Sequence, residues 1–556
     1  MQLLSRWLGL ALMLGLCFAS FSGVEANEKT GYFRIELTDK GPTQFDLNQP
    51  EEFLSERALD RREKENVNLD STDLPVVRSY KDSILEAGVK YRFSSRWFNY
   101  LIGGIEDSSV YEEISSREFV EDITLVKPFL DDEGVSPEPR SPKLPLAFKP
   151  RNPSDQFGEA FRQIEQINAH YLHENDYKGE GKLIAVLDAG YPGVDHVEAF
   201  DHLREEGRIE ANFDFIRGEA DVYDEHPHGT NVLSIMAGIL EGRFKGSGPE
   251  ASYLLLRSED DASEFRIEEH SWIAAAEYAD SAGADIINSS LGYTQFYDSE
   301  MDYSREDLDG ETTWVARAAG KAVDKGILVF NSAGNSRRGP WGSIVSPADA
   351  KDVVSVGAIN SEKELADDSS PGYTADGRVA PKVTAMGEGT AYIRSDGSVS
   401  SGNGTSFSSP LLAGAAASFW SHNPELTAVE IREALLTNAH QYDNPDPDKG
   451  HGIPDFFRML RQAKEEEIEG PFEVNKIYPN PFNEEIAVEV YFDHGQELKV
   501  ELFNQHGGKV LERAIKGPAG SYRELVLRGL DEVTSGVYFL RIVGNNHTTQ
   551  HKLVKP

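Results

Sequence analysis

Short apolar runs separated by longer stretches with helical spacing fill the middle of the chain. Each run is long enough for one strand, and the stretches between them can cover a sheet with helices. Strands that alternate with helices favour a parallel sheet. The pattern therefore predicts an α/β domain over residues 159–463. Its predicted strands are LIAVL (183–187), SYLLLR (252–257), DIINSS (285–290), GILVF (326–330) and VVSVGA (353–358).

A smaller unit of mixed pattern precedes this domain and is assigned to residues 27–140. Its elements follow the order β-α-β-β-α-β, which is compatible with an α+β ferredoxin-like fold. The predicted strands lie at YFRIEL from Tyr32, 89–94, 97–104 and FVEDITLVK (119–127), with helical patterns near 53–65, 78–87 and 108–116.

The end of the chain, residues 474–556, carries short β-type runs between turn residues and is predicted to form a β-sandwich. Two linkers separate the three units. The first, assigned to 141–158, is rich in proline and charge and lacks an apolar period. The second, assigned to 464–473, contains the charged stretch KEEEIEG.

Residues 1–26 have the three-part pattern of a secretory signal peptide: Arg6, an apolar run to about Phe21, and a small-residue cleavage pattern ending at Ala26. The run is shorter than the about 20 residues that span a bilayer, so we expect no stable membrane span. The one cysteine, Cys17, lies inside this segment. Its loss with the signal excludes disulfides, zinc-thiolate sites and cysteine nucleophiles from the mature chain, and export without disulfides favours a bacterial protein.

The chain has 94 acidic and 55 basic residues and a formal net charge of −39. Such a charge repels nucleic acid and argues against a nucleic-acid partner. Solvated acidic surfaces explain the excess most simply, although calcium sites are compatible with it. The sequence identifies no metal ligands, and we expect no redox or organic cofactor.

Three polar residues stand at positions suited to nucleophilic catalysis. Asp188 follows an apolar strand, where open α/β sheets present functional groups. His228 precedes an apolar helical run, and Ser406 lies in a glycine-rich turn with Pro410 at an early helix position. Each residue alone also has a structural explanation, as a strand-end carboxylate, a helix-start histidine or an N-capping serine.

Together the three supply what a serine nucleophile needs, because an imidazole must take the hydroxyl proton and a carboxylate must orient the imidazole. Asn335, in FNSAGNS after the strand GILVF, could donate to the oxyanion together with the Ser406 amide. A turn-forming asparagine next to Gly334 is the alternative.

The motifs DAG, HGT, SAGN and GTSFSSP, in this order, resemble the four signatures of the subtilase family of serine proteases. The order Asp, His, Ser is that of subtilisin and not that of chymotrypsin. The resemblance covers roughly residues 160–460 and implies a seven-stranded parallel core with endopeptidase activity. It also implies that Ser290, Leu291 and Gly292 bind substrate near the primary pocket.

Some positions depart from the commonest pattern of the family. Ala189 stands where many relatives have serine or threonine, which removes a possible hydrogen bond to Asp188. Asn231 replaces a frequent second histidine, and Phe407 and Ser408 differ from the commoner Met-Ala. The essential groups remain, so these departures affect efficiency and specificity.

The flanking units fit the same resemblance. The unit at 27–140 is similar to the subtilase propeptide, which assists folding and blocks the cleft until it is removed. The motifs YPNPFNEEI, GVYFLRI and the terminal HKLVKP resemble the sorting domain of the Bacteroidetes type IX secretion system. The expected partners are therefore protein substrates, the chain's own propeptide and the export machinery, and the expected location is secreted or on the cell surface.

The sequence thus predicts a secreted serine endopeptidase made as a zymogen. One alternative is an exported binding protein that keeps the fold but is catalytically inactive. A lipase or esterase fits less well, because its nucleophile motif G-x-S-x-G would require glycine where Ser408 stands.

Overall fold

The computed structural model describes residues 29–129, 156–463, 471–517, 521–531 and 533–556. The predicted signal peptide and most of the two predicted linkers lie outside the described residues. The described chain forms an amino-terminal α+β domain, a central α/β domain and a carboxy-terminal domain of strands.

The amino-terminal domain combines four strands with three helices. They are β1 (Gly31–Leu37), α1 (Glu56–Lys64), α2 (Arg78–Glu86), β2 (Lys90–Ser95), β3 (Tyr100–Ile105), α3 (Ser108–Ser115) and β4 (Val120–Lys127). The strands form an antiparallel sheet in the order β2-β3-β1-β4, which confirms the ferredoxin-like prediction. Residues alternate between its two faces. On one face, Phe33 and Ile35 pack with Ile84 of α2 and Ile114 of α3.

The central domain contains the predicted parallel sheet, which has seven strands. They are β5 (Leu183–Asp188), β6 (Ile209–Asp214), β9 (Ser252–Arg257), β10 (Ile286–Ser289), β11 (Leu328–Ser332), β12 (Val354–Ile359) and β13 (Val383–Met386). Their order across the sheet is β13-β12-β11-β10-β5-β9-β6. Short pairs outside this sheet are β7 (Ile239–Leu240) with β8 (Phe244–Lys245), and β14 (Glu388–Ile393) with β15 (Val399–Asn403).

Helices cover both faces of this sheet because its strands are apolar on both sides. The helices are α4 (Phe161–Gln166), α5 (His170–Glu174), α6 (Asp201–Glu205), α7 (His228–Ala237), α8 (Ile267–Ala282), α9 (Trp314–Asp324), α10 (Thr405–His422), α11 (Ala428–Thr437) and α12 (Phe456–Ala463). Ile184 and Val186 of β5 belong to the core under α7 and α10, whereas Ala185 and Leu187 belong to the core under α8 and α9.

The carboxy-terminal domain is the predicted β-sandwich. Its strands are β16 (Phe472–Tyr478), β17 (Glu485–Phe492), β18 (Gln496–Asn504), β19 (Lys509–Gly517), β20 (Ser521–Arg528), β21 (Gly536–Val543) and β22 (Thr548–Lys555). A sheet in the order β16-β17-β20 faces one in the order β19-β18-β21-β22, and the two share a core that includes Val488, Val500 and Leu540.

The second face of the amino-terminal sheet is buried against the central domain. Tyr100 and Ile102 share a core with Trp272 of α8, and the Tyr100 hydroxyl lies 2.9 Å from His270 Nδ1. The Arg34 guanidinium lies 4.1 Å from the ring centre of Trp314 on α9. The interface between the amino-terminal sheet and the central domain is therefore largely apolar, like the core of a domain.

A buried cluster of charges adds specificity to the contact. Asp280 of α8 is fully buried and meets three guanidinium groups of the amino-terminal domain. Arg62 lies 2.8 Å and Arg96 2.5 Å from its carboxylate, and Arg61 also bonds it. Burial would raise the pKa of Asp280, but the three arginines hold it below its ordinary value. The Asp280 carboxylate therefore stays charged, and its negative charge compensates the buried positive charges of the arginines.

Removal of this carboxylate by Asp280→Ala takes away the carboxylate partner of the buried Arg61 and Arg96 and leaves Arg62 with Asp73 alone. We expect the free energy of unfolding to fall by about 3–5 kcal/mol, measured by urea and thermal unfolding of the whole chain. Asp324→Ala, at an exposed position at the end of α9, is the control and should change it by less than about 0.5 kcal/mol. Equal stability of the two variants would contradict the role given to Asp280.

Candidate functional site

The carboxyl edge of the parallel sheet carries the first predicted residue. Asp188 is the last residue of β5 and is fully buried. Its Oδ1 accepts a hydrogen bond from the Ala189 N–H at 2.8 Å and lies 2.7 Å from His228 Nδ1. A buried carboxylate in this position fixes the tautomer of the neutral imidazole, with the proton on Nδ1 and the lone pair on Nε2.

His228 is the first residue of α7 and reaches Asp188 because the helix start lies very close to β5. A Cβ on Gly229 would clash with the Gly190 carbonyl oxygen and would lie 3.0 Å from Asp188 Cβ. Only glycine allows this approach. Thr230 Oγ1 donates to the Pro192 carbonyl at 2.8 Å and holds the helix start to the same turn.

The pKa of His228 is set by two opposing effects. Burial favours the neutral imidazole, but the charge of Asp188 and its hydrogen bond favour the imidazolium more strongly. The net result is a pKa above the ordinary value of 6.5. The imidazole side chain remains 26% exposed, so one edge is open to solvent and to a ligand.

Ser406 is the second residue of α10, where backbone N–H groups lack acceptors within the helix. Its Oγ donates to the Ser290 carbonyl at 3.3 Å, and Ser290 Oγ donates to the Ser406 carbonyl at 3.1 Å. Within the described residues, no hydrogen bond joins Ser406 Oγ to His228. A hydroxyl rotates readily, and hydrogen bonds of this kind are often absent before substrate binds.

The position of Pro410 differs from the sequence expectation. The helix begins at Thr405, so Pro410 is its sixth residue and lies inside the helix. Proline lacks the N–H that would bond the carbonyl four residues earlier, which is that of Ser406. Ser290 Oγ satisfies this freed carbonyl. Pro410 therefore supports a bond between α10 and the segment after β10.

Asn335 lies beside the start of α10, in the turn after β11. Its Oδ1 accepts from the Thr405 N–H at 2.9 Å and from Thr405 Oγ1 at 3.1 Å. These two donors fix the amide so that Nδ2 points away from Thr405 and can donate to another group. Gly404 precedes the helix with a φ of +147°, a backbone conformation that strains any residue with a side chain.

The predicted substrate-binding residues follow β10 directly. Ser290 and Leu291 are mostly buried, whereas Gly292 is exposed. Asn331 Nδ2 donates to the Leu291 carbonyl at 3.2 Å and steadies this segment. The structure thus brings Ser290 into contact with Ser406, His228 into contact with Asp188, and Asn335 beside the residue before Ser406.

Three features of the site go beyond the roles that the sequence predicts. Asp188 Oδ2 is buried and has no hydrogen-bond partner among the described residues, which fits the absence of a hydroxyl at Ala189. The hydroxyl groups of Thr405 and Ser290 orient Asn335 and α10, respectively. The sequence offers only a weak signal for these roles: Thr405 is a hydroxyl residue beside Ser406, and Ser290 is predicted for substrate binding and not for contact with α10.

Three family models match successive parts of the chain. The subtilase family model matches residues 179–454. The chain belongs to the subtilase family. The model of the peptidase S8 propeptide domain of Bacteroidota matches residues 32–138, and that of the secretion system C-terminal sorting domain matches residues 476–556. The subtilase domain is therefore flanked by a propeptide domain and by a domain of the secretion sorting family.

Characterised relatives align with the central domain of this subtilase. Subtilisin E of Bacillus subtilis (strain 168) is 30% identical over 287 residues, which cover 50% of this chain and 66% of subtilisin E. The thermophilic serine proteinase of Bacillus sp. (strain AK1) is 30% identical over 317 residues, which cover 56% of this chain and 67% of that protein. The chain therefore spans about two thirds of the length of these relatives.

Among solved structures, MycP1 from Mycobacterium smegmatis is similar, with a TM-score of 0.45 and 21% identity. The match covers 63% of this chain and 97% of that one. In the part of the subtilase that the structure describes, no helix is long and apolar enough to cross a membrane.

The pKa of His228 can be measured directly by NMR titration of the histidine-labelled chain. We expect a midpoint above 6.5 and a lower one in Asp188→Asn, because the substitution removes the negative charge. Because the pKa of His228 is higher in the folded chain, the contact of His228 with Asp188 stabilises the fold fully below pH 6.5. This stabilisation is lost as the pH rises through the pKa of His228 in the folded chain. A midpoint below 6.5, or one unchanged by Asp188→Asn, would contradict the coupling of the two side chains.

Proposed function

We propose that this subtilase is an exported serine endopeptidase, made as a zymogen, in which Asp188, His228 and Ser406 form the catalytic triad. The observation that carries the proposal is the 2.7 Å contact between His228 Nδ1 and the buried Asp188 carboxylate. This contact leaves Nε2 as the basic atom of the imidazole, which is what activation of a serine hydroxyl requires.

The reaction begins when Ser406 Oγ turns from the Ser290 carbonyl towards His228. Oγ attacks the peptide carbonyl carbon, and Nε2 of His228 takes the hydroxyl proton. The carbonyl π pair moves to oxygen, and the imidazolium is stabilised by Asp188. The C–N bond then breaks as His228 returns the proton to the leaving amine. Water repeats the sequence and releases the acid from the acyl-enzyme.

The oxyanion is stabilised by two donors, one at the start of α10 and one in the turn after β11. One is the Ser406 N–H, which lies in the first turn and has no acceptor within the helix. The other is Asn335 Nδ2, whose direction is set by the bonds from Thr405 to Oδ1. In subtilisin, a member of the same family, loss of one such donor lowers kcat by about 10²–10³.

Zymogen behaviour is supported by the tight contact of the propeptide domain with α8 and α9. This contact buries aromatic side chains and the Asp280 cluster. It holds the last strand of the propeptide domain against the central domain, where Lys127 bonds Asp260 at 3.2 Å. Maturation requires a cut after this strand and release of the domain, so the enzyme is inactive before that cut.

Export is proposed to use two signals. A signal peptide over residues 1–26 would take the chain across the inner membrane, and the carboxy-terminal sorting domain would take it to the cell surface or the medium. The mechanism needs no redox or organic cofactor.

Casein cleavage by the processed protein tests the triad. Asp188→Asn should fold normally and lose about 10⁴ in kcat, because it favours the wrong imidazole tautomer. Ser406→Ala should lose at least as much. Ser421→Ala, near the far end of the same helix, is the matched control and should keep full activity.

Undiminished turnover in Asp188→Asn would refute the role of that residue. If processed wild-type protein cleaves neither casein nor a panel of peptides, the proposal fails and an exported binding protein becomes the better explanation.

A further inference from the structure

Three glutamates lie close together beside the site, in the connection from β9 to α8 and the first turn of α8. They are Glu259, Glu264 and Glu268, and each offers a carboxylate oxygen within 4.8 Å of the other two. Oxygens on opposite sides of a calcium ion are about 4.6–5.2 Å apart, since calcium–oxygen bonds are about 2.3–2.6 Å long. The spacing fits one ion held between the three carboxylates.

The hydrogen bonding of Glu268 is a second, independent indication that this cluster binds a ligand. This side chain is fully buried. Its Oε1 accepts hydrogen bonds at 3.3 Å from the Phe265 N–H and from Ser263 Oγ, but its Oε2 has no partner within the described residues. A buried carboxylate oxygen without a donor is costly and needs an explanation.

We propose that Glu259, Glu264 and Glu268 bind a calcium ion. The donors are all carboxylate oxygens, which suit hard cations, and three bidentate carboxylates could supply the six oxygens that calcium accepts as a minimum. Zinc favours nitrogen and sulfur ligands, and magnesium keeps several waters and demands strict octahedral geometry. The ion would also relieve the mutual repulsion of three negative charges.

The proposed site is connected to the substrate-binding segment. The Tyr293 hydroxyl donates to Glu259 Oε2 at 2.8 Å, and Tyr293 directly follows Gly292. On the other side, the N–H of Ser258, the neighbour of Glu259, donates to the Asp188 carbonyl at 2.9 Å. Bound calcium would therefore hold Glu259 and steady both neighbouring segments.

The propeptide domain reaches the edge of the same cluster. Lys127 Nζ lies 2.7 Å from Ser263 Oγ, the hydroxyl that donates to Glu268. Lys127 also neutralises Asp260, next to Glu259. Release of the propeptide removes this positive charge, so we expect calcium to bind more tightly to the mature enzyme than to the zymogen.

Calorimetric titration of calcium chloride into the chelator-treated full chain tests the proposal. The Ser406→Ala background is used throughout to prevent self-digestion. The parent should bind calcium, and Glu268→Gln should weaken the binding by at least about tenfold, because ligand charge sets calcium affinity. Glutamine can still accept from Phe265 and Ser263, so the fold is expected to survive. Glu362→Gln, at an exposed glutamate, is the matched control and should bind as the parent does.

The proposal is overturned if the parent takes up no calcium, or if Glu268→Gln binds as tightly as the parent. Circular dichroism checks the fold of each variant. Should Glu268→Gln misfold, the half-buried Glu264→Gln replaces it with the same expected loss. A parent that binds no calcium but, in the same titration, binds peptides with lysine or arginine more tightly than neutral peptides would instead identify the cluster as a pocket for basic side chains. Because binding is measured without catalysis, the result is independent of the proposed protease activity.

Discussion

The hydrogen bond between the buried Asp188 carboxylate and His228 is the interaction on which the rest of the site depends. It exists because β5 ends at the carboxyl edge of a parallel sheet and α7 begins within contact of it. Gly229 permits that contact at a place where any side chain would meet the Gly190 carbonyl. The remaining groups are attached to the same edge: the Ser290 segment follows the neighbouring strand β10, and Ser290 bonds the start of α10.

The amino-terminal domain depends on a similar use of buried charge. Asp280 would be costly to bury without partners, and so would the arginines that surround it. The carboxylate and the arginines lower the cost of burying one another. An apolar sheet face packs against the central domain, and the charge cluster adds ion pairs between the two domains. This arrangement suits a propeptide domain that binds firmly in the zymogen.

Local patterns in the sequence were sufficient to predict much of the fold. The apolar strands of the central sheet and the element order of the propeptide domain could be predicted, because burial dictates both. Strands β6 and β13 were not among the strands predicted from the apolar runs, since IEANFD contains polar residues and is partly exposed and VTAM is very short. The place of Pro410, the orientation of Asn335 by Thr405 and the Asp280 cluster all depend on contacts between distant segments. Sequence motifs indicated the candidate triad, but only the fold brings its members to one edge.

Ser406 is proposed to be an activated nucleophile, and covalent labelling measures the reactivity of its hydroxyl. Processed protein is treated with a fluorophosphonate, digested, and analysed by mass spectrometry to locate the modified residue. We predict a single adduct on Ser406 that forms rapidly in the wild type and is abolished in Asp188→Asn or slowed by orders of magnitude. An unlabelled wild-type protein, or an adduct on another serine, would contradict that claim.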